Sequence, residues 1–197
     1  MVKSKSYNDY IQNFFDDSSQ LIKTSSNLTP IIMNSVNLIT KSLRNGKKIV
    51  LFGNGGSAAD AQHIAAEFVG RFNLERKSLP AIALTSDSSI LTSISNDYSF
   101  DLVFSRQCES LVSKNDVVIG ISTSGNSINV KNGLKTAKKN GDKTIALLGN
   151  NGGNIRSIVD CPIIVKSKST PRIQEVHRVI SHLICDLVEQ DLINEEI

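Results

Sequence analysis

Long apolar runs are missing from this chain. No stretch approaches the roughly 20 residues needed to span a bilayer, and the opening MVKSKSYNDYIQNFF lacks the apolar core of about 7–15 residues that a secretory signal requires. Membrane insertion and export are therefore not expected. Cysteine is scarce: Cys108, Cys161 and Cys185 are odd in number, far apart and without a C-x-x-C pair. That pattern predicts reduced core thiols in a cytoplasmic protein. Basic clustering is absent too, because the formal net charge of +3 comes from scattered Lys and Arg. With no basic stripe interleaved with aromatics, nucleic acid is not an expected partner, and Lys138, Lys139 and Lys143 read as a solvated face. Several catalytic signatures are also missing. There is no G-x-G-x-x-G with an acidic residue after the next strand, no G-x-x-x-x-G-K-[ST] and no G-x-S-x-G, which disfavours dinucleotide enzymes, P-loop NTPases and nucleophile-elbow hydrolases. No cysteine sits in a loop before a helix, where its pKa would fall. Solenoid repeats, low-complexity linkers and charge blocks are not found.

What is present is an ordinary soluble globular composition, 40% hydrophobic and 21% charged over 197 residues. That length buries one good core and is short for two α/β units, so a single domain over 1–197 is expected. Residues 1–45 read as two helices: Tyr10, Ile11, Phe14, Phe15, Leu21 and Ile22 recur at helical spacing, and a second start lies at Thr29-Pro30. Thr29 is the expected cap, Pro30 suits the first helical position, and Gly46 marks the end. Over 46–197 the pattern changes to short apolar runs, KIVLFG, AIALTS, VVIGIS, TIALLG and PIIVKS, each followed by small polar residues and a helical period. This predicts a three-layer αβα sandwich on a central parallel five-stranded sheet. The last segment is a long amphipathic helix from Pro171 to about Ile193, capped by Ser169 or Thr170 and opened by Pro171. Its predicted apolar side carries Ile173, Val176, Val179, Ile180, Leu183, Ile184, Leu187 and Val188.

In open α/β sheets ligands sit beyond the carboxyl ends of the strands. That directs attention to GNGGS, TSDSS, STSGNS, LGNNGGN and KSKSTP. In 53-GNGGS-57 backbone N–H groups at a helix start can face an anion with no side chain in the way, although a plain strand-to-helix turn explains it equally well alone. In 122-STSGNS-127 four hydroxyls, those of Ser122, Thr123, Ser124 and Ser127, surround one glycine. One capping serine would satisfy the helix, so the other three point to phosphate. His63 and Glu67, at i and i+4, share a face of the helix that leaves the glycine turn. Such a pair is commonly a surface hydrogen bond, but the chain has only three histidines, and the other two, His177 and His182, follow another polar loop. Gln174, Arg178 and His182 then form a stripe on an otherwise apolar helix, a pattern that polar edge positions also produce.

Taken in order, NGGS, H-x-x-x-E, ND, STSGNS and RIQEVH resemble the sugar isomerase (SIS) family, with its flavodoxin-like fold, and within it the phosphoheptose isomerases, from about Ser6 to Leu192. The resemblance implies one divalent metal per subunit, zinc, on His63, Glu67, Gln174 and His182. It implies a substrate cradle of Asn54, Gly55, Gly56, Asn96, Asp97, Ser122, Thr123, Ser124, Ser127 and Gln174, with Ser57 joining the phosphate site and Glu67 also touching substrate. The implied reaction converts sedoheptulose 7-phosphate to D-glycero-D-manno-heptose 7-phosphate, with Glu67 as base and His182 as its acid/base partner on the opposite side of the sugar. Pro171 stands where some members carry an acidic residue. Gln174 and His182 lie eight residues apart, a rise of about 12 Å, so they share one ion only by reaching over Arg178 or by coming from different subunits. The resemblance further implies a cytoplasmic homotetramer with sites near subunit interfaces, making the first heptose precursor for surface glycans. Competing readings are a non-catalytic SIS sensor or initiator-binding module, and an isomerase for another phosphosugar.

Overall fold

The structure is a computed structural model that describes residues 6–193. The chain opens with α1 (Tyr7–Thr24), passes through a 3₁₀ turn (Ser25–Leu28) and continues into α2 (Thr29–Arg44). Thr29 does not cap α2. Because the 3₁₀ turn runs straight into the helix, Leu28 holds the cap position and the Thr29 hydroxyl donates back to the Ser26 carbonyl at 2.7 Å. Gly46 ends the helix as predicted, with a φ of 67° and its N–H on the Leu43 carbonyl.

All five apolar runs are strands: β1 (Ile49–Gly53), β2 (Ala81–Ala83), β3 (Val117–Ser122), β4 (Lys143–Gly149) and β5 (Cys161–Val165). They pair in parallel in the order β2-β1-β3-β4-β5. Between them lie α3 (Gly56–Val69), α4 (Ser88–Asp97), α5 (Val103–Leu111) and α6 (Ile128–Lys139), and α7 (Thr170–Ile193) follows β5. Side chains alternate across the pleat. Ile49, Leu51, Ile119 and Leu147 pack with α2, α3 and α7, whereas Val50, Phe52, Val118 and Leu148 pack with α5 and α6. This is the three-layer sandwich the sequence predicts.

The strand order has a functional consequence. The chain leaves β1 for the α3 face and leaves the adjacent β3 for the α6 face, so the two connections part above the sheet and open a crevice at its topological switch point. GNGGS and STSGNS are those two connections.

Two details of α7 differ from expectation. Val179 and Leu183 are 44% and 42% exposed, while His177 and Ser181 are buried. The helix packs against α2, α3 and the sheet, so its buried stripe follows 173, 176, 177, 180, 181, 184, 185 and 188. The three cysteines are free and buried. Among the described residues no helix is long and apolar enough to cross a membrane.

Candidate active site

The crevice is built first from backbone. Gly55 occupies the N-cap of α3 with a φ of 56°, a left-handed conformation that favours glycine, and its carbonyl accepts from the N–H groups of Ala58 and Ala59. A Cβ on Gly56 would run into the Gln174 side-chain amide, so the missing side chain lets α7 approach the turn. Across the crevice, the Ser122 hydroxyl lies 2.9 Å from that of Ser127 and 3.4 Å from that of Ser124. Ser127 stands at the N-cap of α6 yet makes no capping bond. Its hydroxyl is committed to the serine cluster, so capping does not explain this loop. Thr123 is half-buried, and its carbonyl is held by the Asn150 amide at 3.0 Å. Hydroxyls and N–H groups thus converge at the start of a helix, an arrangement suited to a phosphate.

The two sides of the crevice are tied together by an interaction the sequence reading missed. Asn54 and Asn129 exchange two amide hydrogen bonds, each 2.9 Å, and Asn129 is buried.

A second structure grows away from the crevice along α3 and α7, which run side by side. Gly56 faces Gln174, Asp60 faces Arg178, and His63 faces His182. Asp60, with 7% side-chain exposure, accepts from Arg178 Nε at 3.0 Å and also from its Nη2. One turn further, His63 Nε2 and His182 Nε2 are 2.8 Å apart, and Glu67 Oε1 is 3.3 Å from His63 Nε2. Ligand-capable atoms of His63, Glu67 and His182 all lie within 4.8 Å of one another. Glu67 and His182 therefore share one cluster in the protomer.

This cluster fits a divalent cation. Two imidazole nitrogens and a carboxylate oxygen are the donor set zinc takes in catalytic sites, with a position left open. Zinc–nitrogen bonds of about 2.0–2.1 Å place two tetrahedral nitrogens roughly 3.3 Å apart, so the pair need part by only about half an ångström. Burial first, then the neighbouring His63 and Arg178 charges, hold the His182 imidazole below its ordinary pKa, which keeps the lone pair available. The surroundings are fixed. Phe72 packs at 5.5 Å from the His182 ring. Glu189 accepts from the N–H groups of Phe72, Asn73 and Leu74 and from Arg76 Nε, and Arg76 in turn donates to the Glu67 carbonyl. Burial pushes the Glu189 carboxyl up, but these donors outweigh it and hold it below its usual range.

Comparison with known proteins follows from this geometry. A SIS domain matches residues 13–149. Phosphoheptose isomerases of Geobacter sp. (strain M21) and of a Nitratiruptor species are 58% and 61% identical, covering 84% and 76% of this chain and 86% and 80% of their own lengths. The solved structure of the phosphoheptose isomerase from Neisseria gonorrhoeae superposes with a TM-score of 0.89 at 40% identity, covering 94% of this chain and all of that one. The one from Francisella tularensis gives 0.90 at 34%, covering 94% and 99%. The chain belongs to the phosphoheptose isomerase family of SIS-domain proteins.

Against that family's expected site, the structure brings together Asn54, Gly55, Gly56, Ser122, Thr123, Ser124 and Ser127 at the crevice, and His63, Glu67 and His182 at the cluster. Ser57 is buried beneath the turn, its N–H on the Asn54 carbonyl. Gln174 is not in the His/Glu cluster of its own protomer, because it stands about two helical turns before His182 on α7 and rests against Gly56. Asn96 and Asp97 end α4 on the surface, where the Asn96 amide donates to Asp97 Oδ1 at 2.9 Å. Besides Asn129, the sequence reading passed over the Asp60–Arg178 pair. A buried Asp facing the same side as His63, one turn earlier on α3, was the available signal. His177 is a structural residue: its Nε2 lies 3.1 Å from the Leu148 carbonyl, and burial pushes its pKa down to about 4, which keeps it neutral.

Proposed function

We propose that this chain is an aldose–ketose isomerase interconverting sedoheptulose 7-phosphate and D-glycero-D-manno-heptose 7-phosphate, the activity its close relatives are named for. The observation that carries the reading is the convergence of His63, Glu67 and His182 about two to three turns along α3 from a hydroxyl-lined anion crevice. A sugar-phosphate sensor needs the crevice but has no use for the cluster.

In this reading the phosphate sits on the Ser122–Ser127 loop at the start of α6, and the open-chain sugar runs past Gly55, Gly56 and Gln174 toward the cluster. Phosphate binding far from the reacting carbons holds C1 and C2 in position, where remote contacts lower the barrier. Glu67 removes a proton from C1 of the ketose, and the C–H electrons form the C1–C2 double bond as the C2 carbonyl becomes an oxyanion. His182 moves a proton between the two oxygens, and return of a proton to C2 leaves the aldehyde at C1. A divalent cation, for which His63, Glu67 and His182 are the candidate ligands with Gln174 of a second subunit as a fourth, would when bound polarise these oxygens and offset the enediolate charge. Zinc suits the donor set best.

A homotetramer is part of the same reading. The aromatic face of α1 leaves Tyr10, Phe14 and Phe15 61%, 42% and 66% exposed, although Phe14 covers the Arg172 guanidinium, 3.4 Å from its ring centre. It borders a cleft of about 630 Å3 lined also by Gly56, Gln174 and Arg178, so a second copy seated there would approach the site. We place the enzyme in the cytoplasm, where it would supply heptose for surface glycans. Purified protein given sedoheptulose 7-phosphate should form the aldose, and five- and six-carbon ketose phosphates should react at least tenfold more slowly. Faster turnover of a shorter sugar would overturn the substrate, and turnover of none, with or without added zinc, would overturn the enzyme.

A further inference from the structure

The serine loop offers a phosphate dianion only neutral groups. Directly beside it lies an open cleft of about 650 Å3 lined by two residues of that loop, Ser124 and Asn126, and also by Lys166 and Lys168. Among the described residues no acidic side chain lines it. Both lysines are exposed, and neither ammonium group has a hydrogen-bond or ion-pair partner among the described residues. Other lysines differ in this respect: Lys48 is paired with Asp116 and Lys138 with Asp160.

The lysine segment is also held in place. Asn150 donates its N–H to the Ser167 carbonyl at 3.0 Å and its side-chain amide to the Thr123 carbonyl at 3.0 Å. Asn150 does this with a φ of 56°, unusual for a non-glycine residue. One residue therefore bridges the hydroxyl loop and the backbone between the two lysines. The Ser124 hydroxyl, 3.4 Å from that of Ser122, belongs to the cradle and to the cleft wall together. Among the described residues the cleft beside the cradle is lined by these two cations and no other charged side chain.

Building on the phosphosugar reading above, we propose that Lys166 and Lys168 are the cationic half of the phosphate site. They draw the dianionic end of the phosphorylated sugar into this cleft and neutralise it from the solvent side once the hydroxyls hold it. A concave wall of one charge sign concentrates counter-ions and speeds their capture, an effect that salt screens.

The test uses the full chain, inorganic phosphate as the probe, and amide NMR of the 122–127 loop as the readout, alongside steady-state kinetics. In Lys166→Gln/Lys168→Gln, phosphate affinity at low salt should fall about tenfold, KM for sedoheptulose 7-phosphate should rise about as much, and the salt dependence of kcat/KM should flatten. The Lys166→Arg/Lys168→Arg variant should keep the affinity of the parent. A charge-matched control, Lys135→Gln/Lys139→Gln on α6 outside the cleft, should change neither quantity. Unchanged phosphate affinity and salt slope in the first variant, or an equal loss in the control, would overturn the proposal. If the parent binds phosphate in this lysine-dependent way but isomerises nothing, the phosphate site stands and the isomerase reading falls.

Discussion

A buried amide, Asn129, ties together two loops that are 75 residues apart in the chain. Its side-chain oxygen accepts from Asn54 and from the Val130 N–H, while its nitrogen donates back to Asn54. Removing it leaves the part-buried Asn54 unpaired, which costs roughly 2 kcal/mol of stability and frees the glycine turn from the serine loop. Asn129→Ala should therefore raise KM for the phosphosugar about tenfold while kcat falls less, and Asn129→Asp, which lacks the donor, should fall between the two. An unchanged KM in both variants, measured on folded protein, would mean the loops hold their shape alone. At this scale the sequence is half legible. It names the chemistry, since three histidines and a run of hydroxyls stand out in any composition. It hides the partners, because nothing local says that Asn129 reaches across to Asn54 or that Gln174 rests on Gly56.

The elements carry the register between those residues. α3 and α7 are adjacent in space but joined through the sheet, and the Asp60–Arg178 pair sets their alignment so that His63 meets His182. Asp60 is buried and Arg178 is 42% exposed at the side chain, so the two halves are unequal. Deleting the arginine strands a buried carboxylate, whereas neutralising the aspartate leaves a cation that water can reach. Arg178→Met should cost about 2 kcal/mol, discounted for the exposure of the guanidinium, and Asp60→Asn less, as read by chemical denaturation. The opposite order would show that another contact sets the register. Strand and helix positions were readable because five apolar runs bounded by small polar residues leave few alternatives. The buried side of α7 was less so. Apolar periodicity puts Val179 and Leu183 inside, yet the packing of α2, α3 and the sheet admits His177 and Ser181 instead: Ser181 donates to the His177 carbonyl at 2.7 Å, and His177 Nε2 lies 3.1 Å from the Leu148 carbonyl while its Nδ1 has no partner among the described residues.

Across the whole molecule, function follows from strand order. With β1 and β3 adjacent and their helices on opposite faces, two polar loops must meet above the sheet, and the neighbouring helices α3 and α7 lead from that meeting point to His63, Glu67 and His182. Alternating strands and helices announced such a sheet, but not which loops meet, because that depends on an order no local pattern encodes. The assembly is similarly half-written. An aromatic helix face left largely exposed signals a partner without giving its pose.

The claim that binds these scales together is that Glu67 moves a carbon-bound proton of a sugar phosphate. The most direct measurement is proton NMR of sedoheptulose 7-phosphate with the purified chain in D2O, beside Glu67→Gln. The account predicts appearance of the aldose with deuterium at C2, and a fall in rate of at least about a hundredfold in the variant. Aldose formed without solvent deuterium, or formed by Glu67→Gln at the parent's rate, would contradict it.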